Sequence, residues 1–228
     1  MEVLQTSALP LGYAARAREA GNIPAAPDAV NAWAAGAFGE EVGHHKGMTT
    51  LAPGFLIAVP QLQDPNFHLS VVLLLQQNDE GALGLVINRQ TPMLLKDLCD
   101  RNAIPYAGDP EKRIRMGGPV QPEQGLVVYG EEHVDPEGRE VVTGLHVSAS
   151  TGTLSRLCNL QTGRFQCFAG YAGWGPGQLE REIAEGAWIL GPADPLLVLD
   201  REPEEVWETS LRAMGIDPAA IVPGGAES

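Results

Sequence analysis

Long hydrophobic runs, paired cysteines and an excess of basic residues are all missing from this sequence of 228 residues. No uninterrupted apolar stretch approaches the length of about 18 residues that a membrane-spanning helix needs. The start of the chain also lacks the basic segment and apolar core of a secretory signal. We therefore expect a cytoplasmic protein that does not interact with a membrane.

Cysteine is scarce in this sequence, and its spacing matches no disulfide or zinc pattern. The three cysteines, Cys99, Cys158 and Cys167, include no C-x-x-C pair. An odd number without such pairs argues against a disulfide framework and against a structural zinc site, and it fits a reducing compartment. We expect each cysteine to be a small buried apolar residue. A redox role for Cys158 with Cys167 has no supporting motif, and no metal or other cofactor is predicted.

Basic residues are outnumbered by acidic ones, 15 to 29, which gives a net charge of −14. An acidic surface repels phosphate backbones. The densest basic cluster is Lys112-Arg113-Arg115, which we interpret as an edge strand with solvated charges. No helix-turn-helix pattern with a basic recognition helix is visible. The sequence therefore disfavours direct nucleic-acid binding and favours protein or small-ligand partners.

The composition divides the chain near residue 47. Residues 1–47 are rich in Ala, Gly and Pro, with a short helix predicted at Asp28–Phe38. One interpretation is a poorly ordered N-terminal extension. The other is a start codon assigned too far upstream, since Met48 directly precedes the regular pattern. We predict one domain over residues 48–217 and a flexible C-terminal tail over residues 218–228.

The predicted domain is rich in strands, with helices at irregular intervals. Because regular β-α-β alternation is missing, a doubly wound sheet is disfavoured. We predict an α+β fold around a large mixed, mainly antiparallel β-sheet with short helices packed on it. The predicted strands are Phe55–Val59, Leu69–Gln76, Leu83–Ile87, Ile114–Met116, Gly125–Tyr129, Leu145–Val147, Phe165–Tyr171 and Leu196–Leu199.

Four helices are predicted in this domain. Thr91 is an N-cap followed by Pro92 at the first helical position. Ser150 or Thr151 caps a second helix that ends at Leu157. A third helix is predicted over Gln178–Trp188. The last begins at Pro203, carries Trp207, Leu211 and Met214 on one face and stops at Gly215.

Four segments in this order resemble the YqgE/AlgH family, also called UPF0301 or DUF179. They are GFLIAVP from Gly54 with DPNF from Asp64, GALGLVINR from Gly81, GGPV from Gly117, and GYAGW from Gly170 with the following GQLE. The resemblance implies a single α+β domain of bacterial origin, without a known cofactor and without an established catalytic residue. Members of this family are often described as regulators of transcription.

The glycine- and aromatic-rich segments supply the candidate ligand-binding residues, although each has a structural alternative. Glycines at strand ends permit close backbone approach, which serves either a tight turn or a pocket wall. Arg89 is suited either to a surface salt bridge or to a bidentate contact with a carboxylate or phosphate. The candidates are Asp64, Asn88, Arg89, Gly117, Gly118, Tyr171, Trp174 and Gln178; the alternatives are turns, core packing and, for the loop Gly170–Gly177, a seat for Trp174.

Two functions remain open on these observations. The first is a noncatalytic regulator that acts on transcription indirectly, by binding a protein or a small ligand. The alternative is an unrecognised enzyme or small-molecule sensor with a pocket near Arg89, Gly117-Gly118 and Trp174, since pockets tend to form where strand ends converge. No catalytic signature is present among the sequence motifs.

Overall fold

The computed structural model describes residues 50–130, 138–160 and 163–221, which form ten strands and six helices. The strands are β1 Gly54–Ala58, β2 Val71–Asn78, β3 Gly81–Val86, β4 Gln90–Leu94, β5 Arg113–Met116, β6 Val120–Tyr129, β7 Arg139–Val142, β8 Leu145–Ser148, β9 Phe165–Trp174 and β10 Trp188–Gly191. The helices are α1 Leu95–Arg101, α2 Thr151–Cys158, α3 Gln178–Ala184, α4 Pro195–Leu199, α5 Pro203–Ala213 and α6 Pro218–Ile221.

The strands form one large sheet in the order β10-β1-β2-β3-β9-β6-β8-β7. Strand β5 lies off this path, paired antiparallel with β4 and parallel with β9. The remaining neighbours are antiparallel, including the predicted hairpin of β2 and β3. The predicted α+β fold with a mixed, mainly antiparallel sheet is therefore confirmed.

The apolar runs of β1 and β2 serve two different cores. Successive side chains of a strand point to opposite faces of the sheet. Phe55 and Ile57 join a cluster with Trp207 of α5, whereas Leu56 and Ala58 join a cluster on the other face. Because both faces are covered, these strands have continuous apolar runs instead of alternating polar and apolar residues.

A third cluster lies where α1 and α2 pack on β6 and β9. It contains Leu95, Leu98, Leu154 and Leu157 of the helices, together with all three cysteines. The prediction that each cysteine is a buried apolar residue is confirmed. The Cys158 Sγ lies 3.5 Å from the Cys99 Sγ.

The first predicted helix begins one turn later than expected. Thr91 and Pro92 lie in β4, and α1 starts at Leu95. Instead of capping a helix, the Thr91 hydroxyl donates a hydrogen bond to the Ile114 carbonyl at 2.8 Å. The register of β4 with β5 is irregular around Pro92, where the missing N–H of proline is tolerated.

Two further predictions were wrong near the C-terminus. The helix predicted over Gln178–Trp188 ends at Ala184, and Trp188 begins β10, which pairs with β1. Leu196–Leu199, predicted as a strand, lies in helix α4, whose N-cap Asp194 accepts a hydrogen bond from the Leu196 N–H. Short apolar runs fit either element, so periodicity could not separate them.

The last predicted helix agrees with α5, which begins at Pro203 and is followed by Gly215 in a left-handed conformation, with φ of 75°. Helix α6 then continues the described structure to Ile221, four residues beyond the predicted domain end. The predicted extension over residues 1–47 and the helix at Asp28–Phe38 lie outside the described residues. Within the described ranges, none of the helices has the length and apolar character to cross a membrane.

Candidate functional site

Asp64 organises the turn between β1 and β2. Its carboxylate accepts a hydrogen bond from the Asn66 N–H at 2.8 Å, and its carbonyl accepts from the N–H groups of Phe67 and His68. This is an Asx turn, as the residue types indicate. Phe67 packs against the core, so the turn and the core contact predicted as the structural alternative for DPNF are both present.

Asn88 and Arg89 continue the pairing of β3 with the chain before β2. The Asn88 side chain accepts from the Val71 N–H and donates to the Leu69 carbonyl, both at 2.9 Å, so it imitates a strand neighbour. The Arg89 guanidinium donates to the His68 carbonyl. The Asn88 and Arg89 side chains thus bind backbone groups at the start of β2 and in the segment directly before it.

Gly117 and Gly118 lie where the chain between β5 and β6 crosses β9. The Gly117 N–H donates to the Ala169 carbonyl at 2.8 Å, and its carbonyl accepts from Val86 at 2.8 Å. A Cβ at Gly117 would overlap the Gly170 carbonyl, and one at Gly118 would overlap the Tyr171 backbone. The glycines therefore allow two backbones to approach closely, and they leave no space for a ligand between them.

The predicted loop Gly170–Gly177 is mostly strand, because β9 continues to Trp174. Only Gly175–Gly177 connects it to α3. The Gly175 N–H donates to the Gln178 Oε1 at 3.1 Å, so the side chain of Gln178 fills the turn. A peptide N–H that is paired in the ladder of β9 is not available to an anion.

Glu182 joins the aromatic residues of the fourth family-like segment. Its Oε2 accepts from the indole N–H groups of Trp174 at 3.0 Å and Trp188 at 2.9 Å, and its Oε1 accepts from Gln178 at 2.9 Å. The Phe67 ring lies 5.9 Å from that of Trp174 and 5.6 Å from that of Trp188. The structure thus brings the Asp64 turn, Trp174 and Gln178 together in one packed cluster.

We expect Glu182→Leu to lower the free energy of unfolding by about 3 kcal/mol, because two buried indole N–H groups lose their acceptor. Glu182→Gln keeps one carbonyl oxygen as an acceptor and should cost about half as much. Urea unfolding followed by tryptophan fluorescence measures both. Glu185→Gln, at an exposed position at the end of the same helix, is the control and should change stability by less than about 0.5 kcal/mol. Equal losses in all three variants would contradict this role.

The basic cluster Lys112-Arg113-Arg115 is not a solvated edge strand. Strand β5 lies between β4 and β9, and Arg115 is only 4% exposed. Its guanidinium donates to the carbonyls of Ile87 at 2.9 Å, Val198 at 2.8 Å and Arg201 at 3.1 Å. Burial lowers the pKa of Arg115 to about 10, so the group is charged at neutral pH.

Lys112 is also withdrawn from solvent. Its Nζ donates to the Phe165 carbonyl at 2.5 Å and lies 4.1 Å from the centre of the Phe165 ring. Burial lowers the pKa of the Lys112 ammonium. Of the three basic residues only Arg113 is exposed, so the cluster does not form an extended basic surface for a polyanion.

A pocket opens beside the third core cluster, between β6, β9 and α2, with an empty volume of about 590 Å³, part of which is open solvent. None of the eight candidate residues lines it, and ligand binding by those residues remains a prediction. The lining residues are Met93, Leu98, Ile114, Pro122, Glu123, Gln124, Gly125, Leu126, Val127, Ala149, Ser150, Thr151, Leu154, Cys167, Phe168 and Ala169.

Gln124 is the unusual member of this wall. It is 2% exposed, and its Oε1 has no hydrogen-bond partner among the residues that the structure describes. Ser150, at the mouth, is engaged as the N-cap of α2, where its hydroxyl accepts from Gly152 and Thr153. Burial raises the pKa of the Cys167 thiol to about 12, so this thiol is protonated at neutral pH. A protonated thiol is a poor nucleophile, so Cys167 is not an activated group in this wall.

Metal coordination has no support in the part of the chain that the structure describes, because no three His, Cys, Asp or Glu side chains there could hold an ion together. The two histidines that the structure describes, His68 and His146, have other contacts. His146 is buried and stacked on Tyr129, with ring centres 5.5 Å apart, and the Nδ1 of His68 contacts the Leu62 carbonyl.

Residues 55–219 match the family model DUF179, described as AlgH-like. A UPF0301 protein of Myxococcus xanthus is 46% identical over 181 residues, which cover 78% of this chain and 98% of the relative. The solution structure of the AlgH protein from Pseudomonas aeruginosa is similar, with a TM-score of 0.64, 33% identity, and coverage of 79% of this chain and 97% of that one. A Corynebacterium diphtheriae protein, 24% identical, shares the fold with a TM-score of 0.61 over 72% of this chain and 88% of its own.

Proposed function

The chain belongs to the AlgH-like family DUF179, also called UPF0301, and we propose that it is a noncatalytic cytoplasmic regulator that acts on transcription indirectly by binding a small ligand and a protein partner. One observation carries this proposal. The pocket between β6, β9 and α2 has a mainly apolar wall that contains a single buried amide without a partner for its oxygen. Apolar pockets with a few well-placed polar groups are typical ligand sites.

The charge of the chain supports the indirect route. With a net charge of −14, the protein repels DNA at long range. The most basic segment offers only Arg113 to solvent, because Lys112 and Arg115 donate their N–H groups to backbone carbonyls. Recognition of a protein partner does not require this missing basic surface.

Native mass spectrometry of the gently purified protein, compared with its denatured mass, tests the ligand. Thr151 is exposed at the mouth of the pocket, so a tryptophan there should block entry with little effect on the fold. We expect an excess mass in the wild type, its loss in Thr151→Trp and its retention in Ala213→Trp, a control at an exposed position at the end of α5. A bare wild-type mass, or an excess that survives Thr151→Trp, would contradict ligand binding in this pocket.

The regulatory part is tested by transcript profiles in the source bacterium. Cells that carry Thr151→Trp in place of the wild type should show the transcript changes of a deletion strain, whereas Ala213→Trp should restore the normal profile. Purified protein should show no binding to duplex DNA. Binding that weakens steeply as salt rises, by about a thousandfold or more between 50 and 200 mM, would indicate direct DNA contact and refute the indirect route.

A further inference from the structure

We propose that the pocket between β6, β9 and α2 takes a small uncharged, mainly apolar molecule with one hydrogen-bond donor, such as an alcohol or a phenol, whose hydroxyl donates to the Gln124 Oε1. This inference rests on the proposed function, since it names the class of ligand that the same pocket would bind. Three features of the wall carry it: its apolar surface, the unsatisfied amide and the charges that it lacks.

The apolar surface sets the body of the ligand. Five different elements contribute apolar side chains to the same space, namely Met93, Leu98, Ile114, Leu154 and Phe168. Apolar area that leaves water on binding contributes favourably in proportion to its size. A ligand with a hydrocarbon or aromatic body therefore gains more from this pocket than a sugar or a nucleotide does.

The Gln124 amide determines which polar group the ligand must carry. The Gln124 Oε1 is shielded from solvent and accepts no hydrogen bond within residues 50–130, 138–160 and 163–221, so a donor that reaches it restores an interaction that was lost on folding. The terminal torsion of a glutamine side chain is broad, so the carbonyl can turn toward a bound molecule. The Gln121 Oε1 is equally buried and unpartnered, but Gln121 is not among the lining residues. Gln121 therefore provides a matched control.

The absence of basic side chains from the wall excludes anions from the proposed class of ligand. None of the lining residues is Lys, Arg or His, and Glu123 is exposed at the wall. The N-terminus of α2 lies at the mouth, but the Ser150 hydroxyl already accepts from the Gly152 and Thr153 N–H groups. A carboxylate or phosphate would lose its hydration there without gaining a cation or free N–H groups.

Phenol and toluene are probes of nearly the same shape that differ in the donor. Titration of the full chain by NMR gives the ratio of the toluene dissociation constant to the phenol dissociation constant. We expect this ratio to fall about fivefold to tenfold in Gln124→Met, which keeps the length of the side chain and removes the acceptor. Gln121→Met should leave the ratio unchanged, and Thr151→Trp should weaken both probes.

Several results would overturn the inference: an unchanged ratio in Gln124→Met, an equal change in Gln121→Met, no binding of either probe, or benzoate binding as tightly as phenol. If Gln124→Met does not fold, the same titration of the wild type with anisole tests the inference, because the methylated oxygen of anisole cannot donate a hydrogen bond. Anisole must then bind at least about fivefold more weakly than phenol. Binding of both probes with an unchanged ratio would refute only the donor class, whereas a bare native mass would refute the proposed function.

Discussion

Replacing Arg115 by methionine is expected to lower the free energy of unfolding by about 4 kcal/mol. The guanidinium is buried and donates to three carbonyls, those of Ile87, Val198 and Arg201, which belong to the segment after β3 and to the region of α4. Methionine fills a similar volume but donates nothing, so three acceptors lose a charge-assisted partner. Equilibrium unfolding in urea measures the loss, with circular dichroism as the probe.

Arg113→Met is the matched control, because Arg113 lies two residues away in the same strand and points to solvent. Its guanidinium makes one exposed contact, to the Pro92 carbonyl at 3.1 Å. We expect this change to alter stability by less than about 0.5 kcal/mol. If the two variants lose equal stability, or if Arg115→Met loses less than about 1 kcal/mol, the bonds of Arg115 do not hold these segments together.

Arg115 also shows where prediction from the sequence stops. Arg and Lys are almost always exposed, so the cluster Lys112-Arg113-Arg115 predicts a solvated face. The burial of Arg115 depends on α4, whose Val198 lies 83 residues later in the chain. We predicted this segment as a strand from the sequence, whereas it is a helix. A side chain whose partners are distant backbone carbonyls leaves no local pattern in the sequence.

Strands β1 and β2 could be predicted from the sequence for a physical reason. The runs in β1 and β2 are apolar and bounded by polar turn residues, which is typical of buried strands. Leu196–Leu199 and Trp188–Gly191 are short, and the balance between helix and strand there is decided by the cap at Asp194 and by pairing with β1. Tertiary partners override the weak local preference at such positions.

The candidate site was predicted from glycines and aromatic residues, which here serve close packing. The same segments that identify the family make the Trp174–Glu182–Trp188 cluster and the crossing of β9 by Gly117-Gly118. The pocket was missed because Gln124 stands between Glu123 and Gly125, where a polar residue ordinarily indicates a solvated strand end. Only the fold shows that its amide is buried.

The crossing at Gly118 should be the least tolerant position of the predicted site. Gly118 has φ of 155°, which disfavours a side chain, and a Cβ there would overlap the carbonyl group of Tyr171. Both obstacles are backbone, so β9 itself must move. We expect Gly118→Ala to lower the free energy of unfolding by about 4 kcal/mol or to prevent folding, as measured by urea unfolding and by soluble yield.

Gly144→Ala separates the two causes of this loss. Gly144 also has a positive φ, of 80°, but apart from Gly144 and its two chain neighbours no atom of the described residues lies within 4 Å of the position of a Cβ. Its variant therefore bears only the conformational cost of about 1 kcal/mol. The excess loss in Gly118→Ala then measures the overlap with β9. Should the two variants be equally stable, close packing cannot be the reason for Gly117-Gly118, and the wall of a ligand site would become the better explanation of that motif.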